Sequence, residues 1–138
     1  MIGLDTNVLA RYYIQDAGDA EALKQREAAR RLMESGKPLM VCKTVLLELE
    51  WVMRGYYEFP VEQIVGVMHH LLALPQVTIE DSESITQALS HCKAGLELAD
   101  ALHHASYRGC ESMASFDDRK FARRAKRMGL TPRIVAPQ

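Results

Sequence analysis

Ile2-Gly3-Leu4-Asp5-Thr6-Asn7-Val8-Leu9 decides how this chain is read. A short apolar stretch leads to a lone acid, and from Asn7 onward apolar residues recur at helical spacing. The stretch reads as a buried strand that ends in a carboxylate at the mouth of a strand-to-helix turn. In an open α/β sheet, chemistry collects outside the carboxyl ends of the strands, so Asp5 stands where a site would form. It has an equal reading as a helix N-cap that satisfies the amides of the following helix. A helix N-terminus also stabilises a carboxylate, so the two roles are compatible. Thr6 and Asn7 add a hydroxyl and an amide able to orient the acid or a bound phosphate.

Outward from this stretch, hydrophobic period and turn signals alternate along the chain. Helices are predicted over residues 7–14 and 19–35, the second stopped by Gly36-Lys37-Pro38, with a strand at 39–42. An apolar helix follows at 44–54, ended by Gly55. Pro60, in a helix first turn, opens another that Pro75 closes, and a strand follows at 77–79. Asp81 or Ser82 caps a helix running to Ala94, with Gly95 just past its end. A helix at 98–108, a strand at 113–115, a helix at 117–128 stopped by Gly129 and a strand at 133–135 complete the order. Five short strands separated by helices imply a three-layer α/β/α fold, its mainly parallel five-stranded sheet flanked by helices. No repeat, low-complexity tract or long linker divides the chain, so residues 1–138 read as a single domain.

Composition agrees with one ordinary globular domain: 138 residues, 48% hydrophobic and 25% charged. A chain of this size buries roughly two-thirds of its unfolded surface and needs no staples. No apolar run approaches the ~18 residues of a membrane span, and no basic segment followed by an apolar signal core opens the sequence. Cys42, Cys92 and Cys110 are odd in number and form no CxxC pair. They point to a reducing, cytoplasmic setting, argue against zinc or a disulfide framework, and read as small buried residues. The net charge of −1 selects no partner. Locally, residues 119–127 hold Arg119, Lys120, Arg123, Arg124, Lys126 and Arg127 against no acid. That run is either a solvated helix face or a surface for phosphate or an acidic partner.

The remaining acids each have an ordinary explanation as well as a functional one. Glu48 lies in Val45-Leu46-Leu47-Glu48-Leu49-Glu50-Trp51-Val52, where burial without a partner costs several kcal/mol. Residues two apart on a helix point to roughly opposite faces. Glu50 has Arg54 four residues on, which marks it as the solvated one and Glu48 as the site candidate. Asp100 falls in the first turn of a helix, an ordinary place for an acid. Glu97, three residues earlier, shares its face, while His103 and His104 lack an HxxxH spacing and read as surface or packing residues. Asp117 and Asp118 follow Ser115-Phe116 at a strand end. One must cap the basic helix; Asp117 is taken as the site acid and Asp118 as a helper or cap.

Jointly, Asp5 and Asp117 end strands, Asp100 begins a helix feeding the fourth strand, and Glu48 lies on the helix leaving the second. Clustered carboxylates raise each other's pKa unless a cation neutralises them. Oxygen ligands without cysteine or a histidine pair suit Mg²⁺ or Mn²⁺, and the matching chemistry is metal-assisted attack of water on a phosphodiester. A haloacid-dehalogenase type of phosphatase would need an acid where Asn7 stands. A dinucleotide-binding fold would need a glycine-rich turn after the first strand.

Four stretches in order carry a resemblance over essentially the whole chain: residues 2–9, residues 46–54, Leu98-Ala99-Asp100-Ala101-Leu102-His103, and Ser115-Phe116-Asp117-Asp118-Arg119-Lys120-Phe121. The sequence resembles the PIN-domain ribonucleases, and within them the toxin subunits of VapBC-type toxin–antitoxin pairs. The resemblance implies an acidic catalytic and metal-binding quartet at Asp5, Glu48, Asp100 and Asp117, with Mg²⁺ or Mn²⁺ as cofactor. Thr6, Asn7, Glu97, Ser115 and Asp118 would be auxiliary. Glu97 stands where many relatives have Asp, and Ser115 where many have Thr. The implied activity is hydrolysis of RNA to 5′-phosphate and 3′-hydroxyl ends, with Arg119, Arg123 and Arg124 as phosphate contacts. Homodimerisation and silencing by an antitoxin with a DNA-binding domain are implied too. Trp51, Tyr56, Tyr57 and Phe59 would serve that interface or the core. The competing readings are a PIN fold that binds RNA or protein without cutting it, and a PIN nuclease of RNA processing or DNA metabolism.

Overall fold

A computed structural model describes residues 1–15, 18–117 and 119–138. The chain divides into two compact units, Met1–Ser82 and Glu83–Gln138.

In the first unit, β1 (Ile2–Gly3), β2 (Leu39–Val41) and β3 (Val77–Ile79) form a parallel sheet in that order. Ile2 lies opposite Leu39, and Leu39 opposite Val77. The β1–β2 ladder runs one residue past the strand, because the Leu4 N–H donates to Met40 O at 2.9 Å. Leu39 and Val41, on one face of the central strand, are fully buried, and Met40 on the other is half-buried. Helices α1 (Thr6–Tyr13), α2 (Ala20–Met33), α3 (Lys43–Trp51) and α4 (Val61–Ala73) fill the crossovers. Asp19 caps α2 by accepting from the Ala22 N–H at 3.0 Å. On α4 the buried residues are Ile64, Val65, Met68 and Leu71, the spacing of one helical face.

Three expectations shift here. Gly55 does not end the third helix: α3 passes directly into a π-helical stretch, Val52–Tyr56. A glycine costs a helix only about 1 kcal/mol, which the burial of Met53 offsets. Pro60 is the N-cap of α4 rather than a residue of its first turn. The cysteines are not core residues. Cys42 is the half-exposed N-cap of α3, Cys92 is half-exposed and Cys110 is exposed.

The second unit holds α5 (Ser82–Lys93), α6 (Leu98–Ser106), β4 (Ser112–Ala114), α7 (Phe121–Met128) and β5 (Arg133–Val135), with β4 and β5 paired in parallel. All strand pairs are therefore parallel, and the ladders divide the five strands three and two. Gly129, at φ 68°, ends α7 as expected, and the Leu130 N–H returns to Ala125 O at 3.0 Å. Leu98, Ala101, Leu102 and Ala105 on α6 and Ile85 and Leu89 on α5 are buried. Among the described residues no helix is long and apolar enough to cross a membrane.

His104 on α6 is buried as well, with no exposed surface. Its Nε2 lies 2.6 Å from Pro132 O, and a carbonyl only accepts, so Nε2 carries the proton. The Nδ1 atoms of His104 and His91 are both buried without a hydrogen-bond partner among the described residues. Burial, and then the neighbouring His104, hold the His91 pKa below the usual imidazole value. The unfolded chain thus takes up this proton at higher pH than the folded one. The stability contribution is complete above the ordinary histidine range and is lost as pH falls through it. Urea midpoints should drop between about pH 7.5 and about pH 5.5, and His91→Gln should flatten that drop. A slope unchanged in the variant would clear His91 of the effect.

Candidate active-site cleft

Asp5 leaves β1 two residues after its end, at the N-cap of α1, where its Oδ1 accepts the Thr6 N–H at 2.7 Å. The side chain is exposed, so capping and an open carboxylate coexist. Asp5, Thr6 and Asn7 line one wall of a cleft of about 510 Å³ in the first unit. Glu48, Trp51 and Val52 of the α3 segment, with Tyr57, line another, and Arg11 and Gln25 complete it. Two of the expected acids, Asp5 and Glu48, are thus brought into one cleft together with both auxiliary residues of the first strand turn. Thr6 is buried, and its Oγ1 has no hydrogen-bond partner among the described residues.

The two glutamates of α3 exchange environments relative to expectation. Glu50 is the buried one, 9% exposed, while Glu48 is exposed. The reason is the helical stripe: Leu46, Leu49 and Met53 are buried, and position 50 falls on the same face. Glu50 keeps its predicted partner, accepting from Arg54 Nε at 2.6 Å. Glu48 therefore needs no compensating partner, and its carboxylate opens on to the cleft.

Sequence reasoning left out Arg11 and Gln25. Arg11 follows Asn7 by four residues on α1, the spacing that puts two side chains on one face, so the signal was present. Arg11 Nε donates to Gln25 Oε1 at 2.9 Å, which ties α1 to α2 at the cleft wall.

In the second unit, Asp100 is half-buried in the first turn of α6, and Glu97 is the exposed N-cap. Burial of its carboxyl, and then the charges of Glu97 and Asp117, push the Asp100 pKa above the ordinary Asp value, with His103 acting the other way. Asp100, Glu97 and Asp117 are thus within electrostatic reach. Asp117 does not cap the basic helix, whose N-cap is Lys120: its Oδ1 accepts instead from the Lys120 N–H at 3.3 Å, ahead of the helix. Ser115 Oγ accepts the Asp117 N–H at 3.0 Å. This side-chain-bonded turn takes residues that were expected in the helix, and α7 begins only at Phe121. Asp118 lies outside the described residues. On α7, Phe121 and Ala125 are buried, and Arg123, Arg124, Lys126 and Arg127 are exposed, as Arg119 is in the turn before it. Arg124 is engaged, donating from Nη1 to Gly95 O at 2.8 Å.

The model for the PIN domain family matches residues 2–127, nearly all of the first unit and most of the second. The chain belongs to the PIN-domain family. No curated protein matches it. The PIN domain is a nuclease-type fold that takes nucleic-acid substrates, and its helices and small parallel sheets are those of the three-layer α/β/α class. PIN nucleases commonly use divalent metals. The acids of this chain offer oxygen donors alone, which fits a hard cation, and the orphaned Thr6 hydroxyl adds another oxygen at the cleft. Within either unit, no three His, Cys, Asp or Glu side chains among the described residues form a group that would hold a metal ion alone.

The reversed environments of the α3 glutamates are testable by stability. Glu50→Ala removes a charge-assisted bond and buried contacts and should cost about 1–2 kcal/mol. Glu48→Gln, at an exposed site, should stay within about 0.5 kcal/mol of the parent in urea unfolding.

Proposed function

We propose that this PIN-domain chain is an endoribonuclease that hydrolyses RNA phosphodiester bonds with Mg²⁺ or Mn²⁺. The observation that carries the reading is the first-unit cleft, where the carboxylates of Asp5 and Glu48 share one opening with the buried, unpartnered Thr6 hydroxyl. A surface selected only for solubility gains nothing from an unsatisfied buried hydroxyl beside two acids. Asp5, Glu48, Asp100 and Asp117 are the residues proposed to hold the metal. When bound, the ion would lower the pKa of an attacking water and offset charge on the scissile phosphate. The chain's own part is to position these acids. The α1 N-terminus holds Asp5 in place through the Thr6 amide, and Asn7 and Arg11 supply donors for phosphate oxygens. The exposed cations Arg119 and Arg123 are proposed as further phosphate contacts along the strand.

Within that reading, the chain is proposed to be the toxin of a VapBC-type pair, a cytoplasmic homodimer silenced by an antitoxin with a DNA-binding domain. This narrower assignment is supported by the four stretches around Asp5, Glu48, Asp100 and Asp117 taken in order.

Purified protein should cut structured RNAs with Mg²⁺ or Mn²⁺, and EDTA should abolish the cleavage. Asp5→Asn and Asp100→Asn should each lower kcat by about 100-fold or more, equivalent to about 2.7 kcal/mol of barrier. Undiminished cleavage in both variants would overturn the metal-quartet reading. RNA bound tightly but never cut would favour the non-cleaving module, and DNA cut faster than RNA would favour a nuclease of DNA metabolism. Arg123→Gln should weaken RNA binding by a similar factor for every sequence and lower the salt slope by about 1. An unchanged slope would return α7 to a solvated face.

A further inference from the structure

Trp51 is the only tryptophan of the chain, and 60% of its surface is exposed. Exposing so large an apolar ring to water forgoes burial energy that aromatic side chains ordinarily supply. The indole is nevertheless held in place. It lies over Gly55, where a methyl group would meet its Cε2 and Nε1 at 3.7 Å. Trp51 follows Glu48 by three residues and lines the same cleft. Tyr57 lines that cleft too, and its ring is braced by Tyr56 at 4.8 Å and by Phe59 at 5.9 Å between centroids.

We propose that Trp51 is a stacking platform for an unpaired RNA base, which it holds beside Asp5 and Glu48. This inference deepens the nuclease reading and rests on it for the identity of the ligand. The cleft has the about 300–1,000 Å³ typical of small-ligand sites, enough for a nucleotide. Its lining combines what a nucleotide needs: an aromatic face for the base, and the Asn7 amide and Arg11 guanidinium for a phosphate. A protein partner fits less well. The centres of protein interfaces are depleted of acidic residues, whereas this cleft has Asp5 and Glu48 among its walls. Stacking needs an open base face, so a base inside a duplex is excluded. Trp51 thus selects single-stranded or looped RNA and sets which phosphate lies at the acids.

The single tryptophan makes the test direct. The full chain in EDTA, titrated with a short unstructured oligoribonucleotide, should show quenched indole emission. The same strand in a duplex, or inorganic polyphosphate, should quench little. Labelled-RNA anisotropy should show Trp51→Ala weakening binding about 10-fold or more, while Trp51→Phe retains most of the affinity. With metal present, Trp51→Ala should raise KM more than it lowers kcat. Equal RNA affinity in Trp51→Ala, or no quenching by bound single strands, would overturn the proposal. So would an emission blue shift that grows with protein concentration without RNA, alongside a heavier species that Trp51→Ala abolishes. That result would make the indole a contact between copies of this chain. Stacking without cleavage would leave this inference standing and sink catalysis. Cleavage with Trp51→Ala indistinguishable from the parent would do the reverse.

Discussion

Strand β2 is three residues long, and both of its neighbours in the first unit hang from it. Leu39 and Val41 are wholly buried, and their backbone serves β1 on one side and β3 on the other. Because β1 and β2 run parallel, their carboxyl ends lie at one edge. Asp5 emerges there two residues after Gly3, and α3 starts there two residues after Val41. The cleft with Asp5 and Glu48 is a consequence of that alignment. A one-residue slip of β1 against β2 would turn Leu4 out of the core and carry the carboxylate away from Glu48.

Charge is distributed around this frame according to burial. Glu50, against the core, has Arg54 as its partner. Asp81, in the left-handed region at φ 50°, lies 2.8 Å from Lys43 Nζ, and the Lys43 N–H donates to Glu80 at 2.9 Å. Glu48 and Asp5 face solvent instead. In the second unit, Asp100 is set first by its burial and then by the two acids in range. The acids that support the fold thus have cation partners, while those proposed to act face solvent or one another.

Much of this was legible beforehand because it depends on period and on strong local signals. The apolar spacing of α4 and α6, the Gly129 stop and the strands at 77–79 and 133–135 are all written in a few adjacent residues. So was the proximity of Trp51 to Glu48, three positions apart. The misreadings came where tertiary packing outweighs residue type. Glu50 looks like a surface residue until its place in the 46–49–53 stripe is counted. Gly55 looks like a stop, yet the packing of Met53 carries the helix past it. Asp117 looks like the first residue of a helix, but its bond to Lys120 uses it in a turn. The cysteines look like core residues, but Cys42 occupies a helix cap and Cys110 an exposed loop, where neither is enclosed. Gln25 reaches the cleft through Arg11, fourteen residues away, a contact that only α1 packing on α2 creates.

The π-helical stretch at Val52–Tyr56 also sets how this segment tolerates changes in length. A π-turn is an α-helical turn that holds one extra residue. Removing one residue from it would let the helix relax to the ordinary ladder, and each residue of an α-helix turns the chain by about 100°. Trp51, before the bulge, would keep its place over the cleft, while Tyr57 would rotate away from it. A single-codon deletion here would separate the two aromatic rings of the cleft and leave every carboxylate in the sequence untouched.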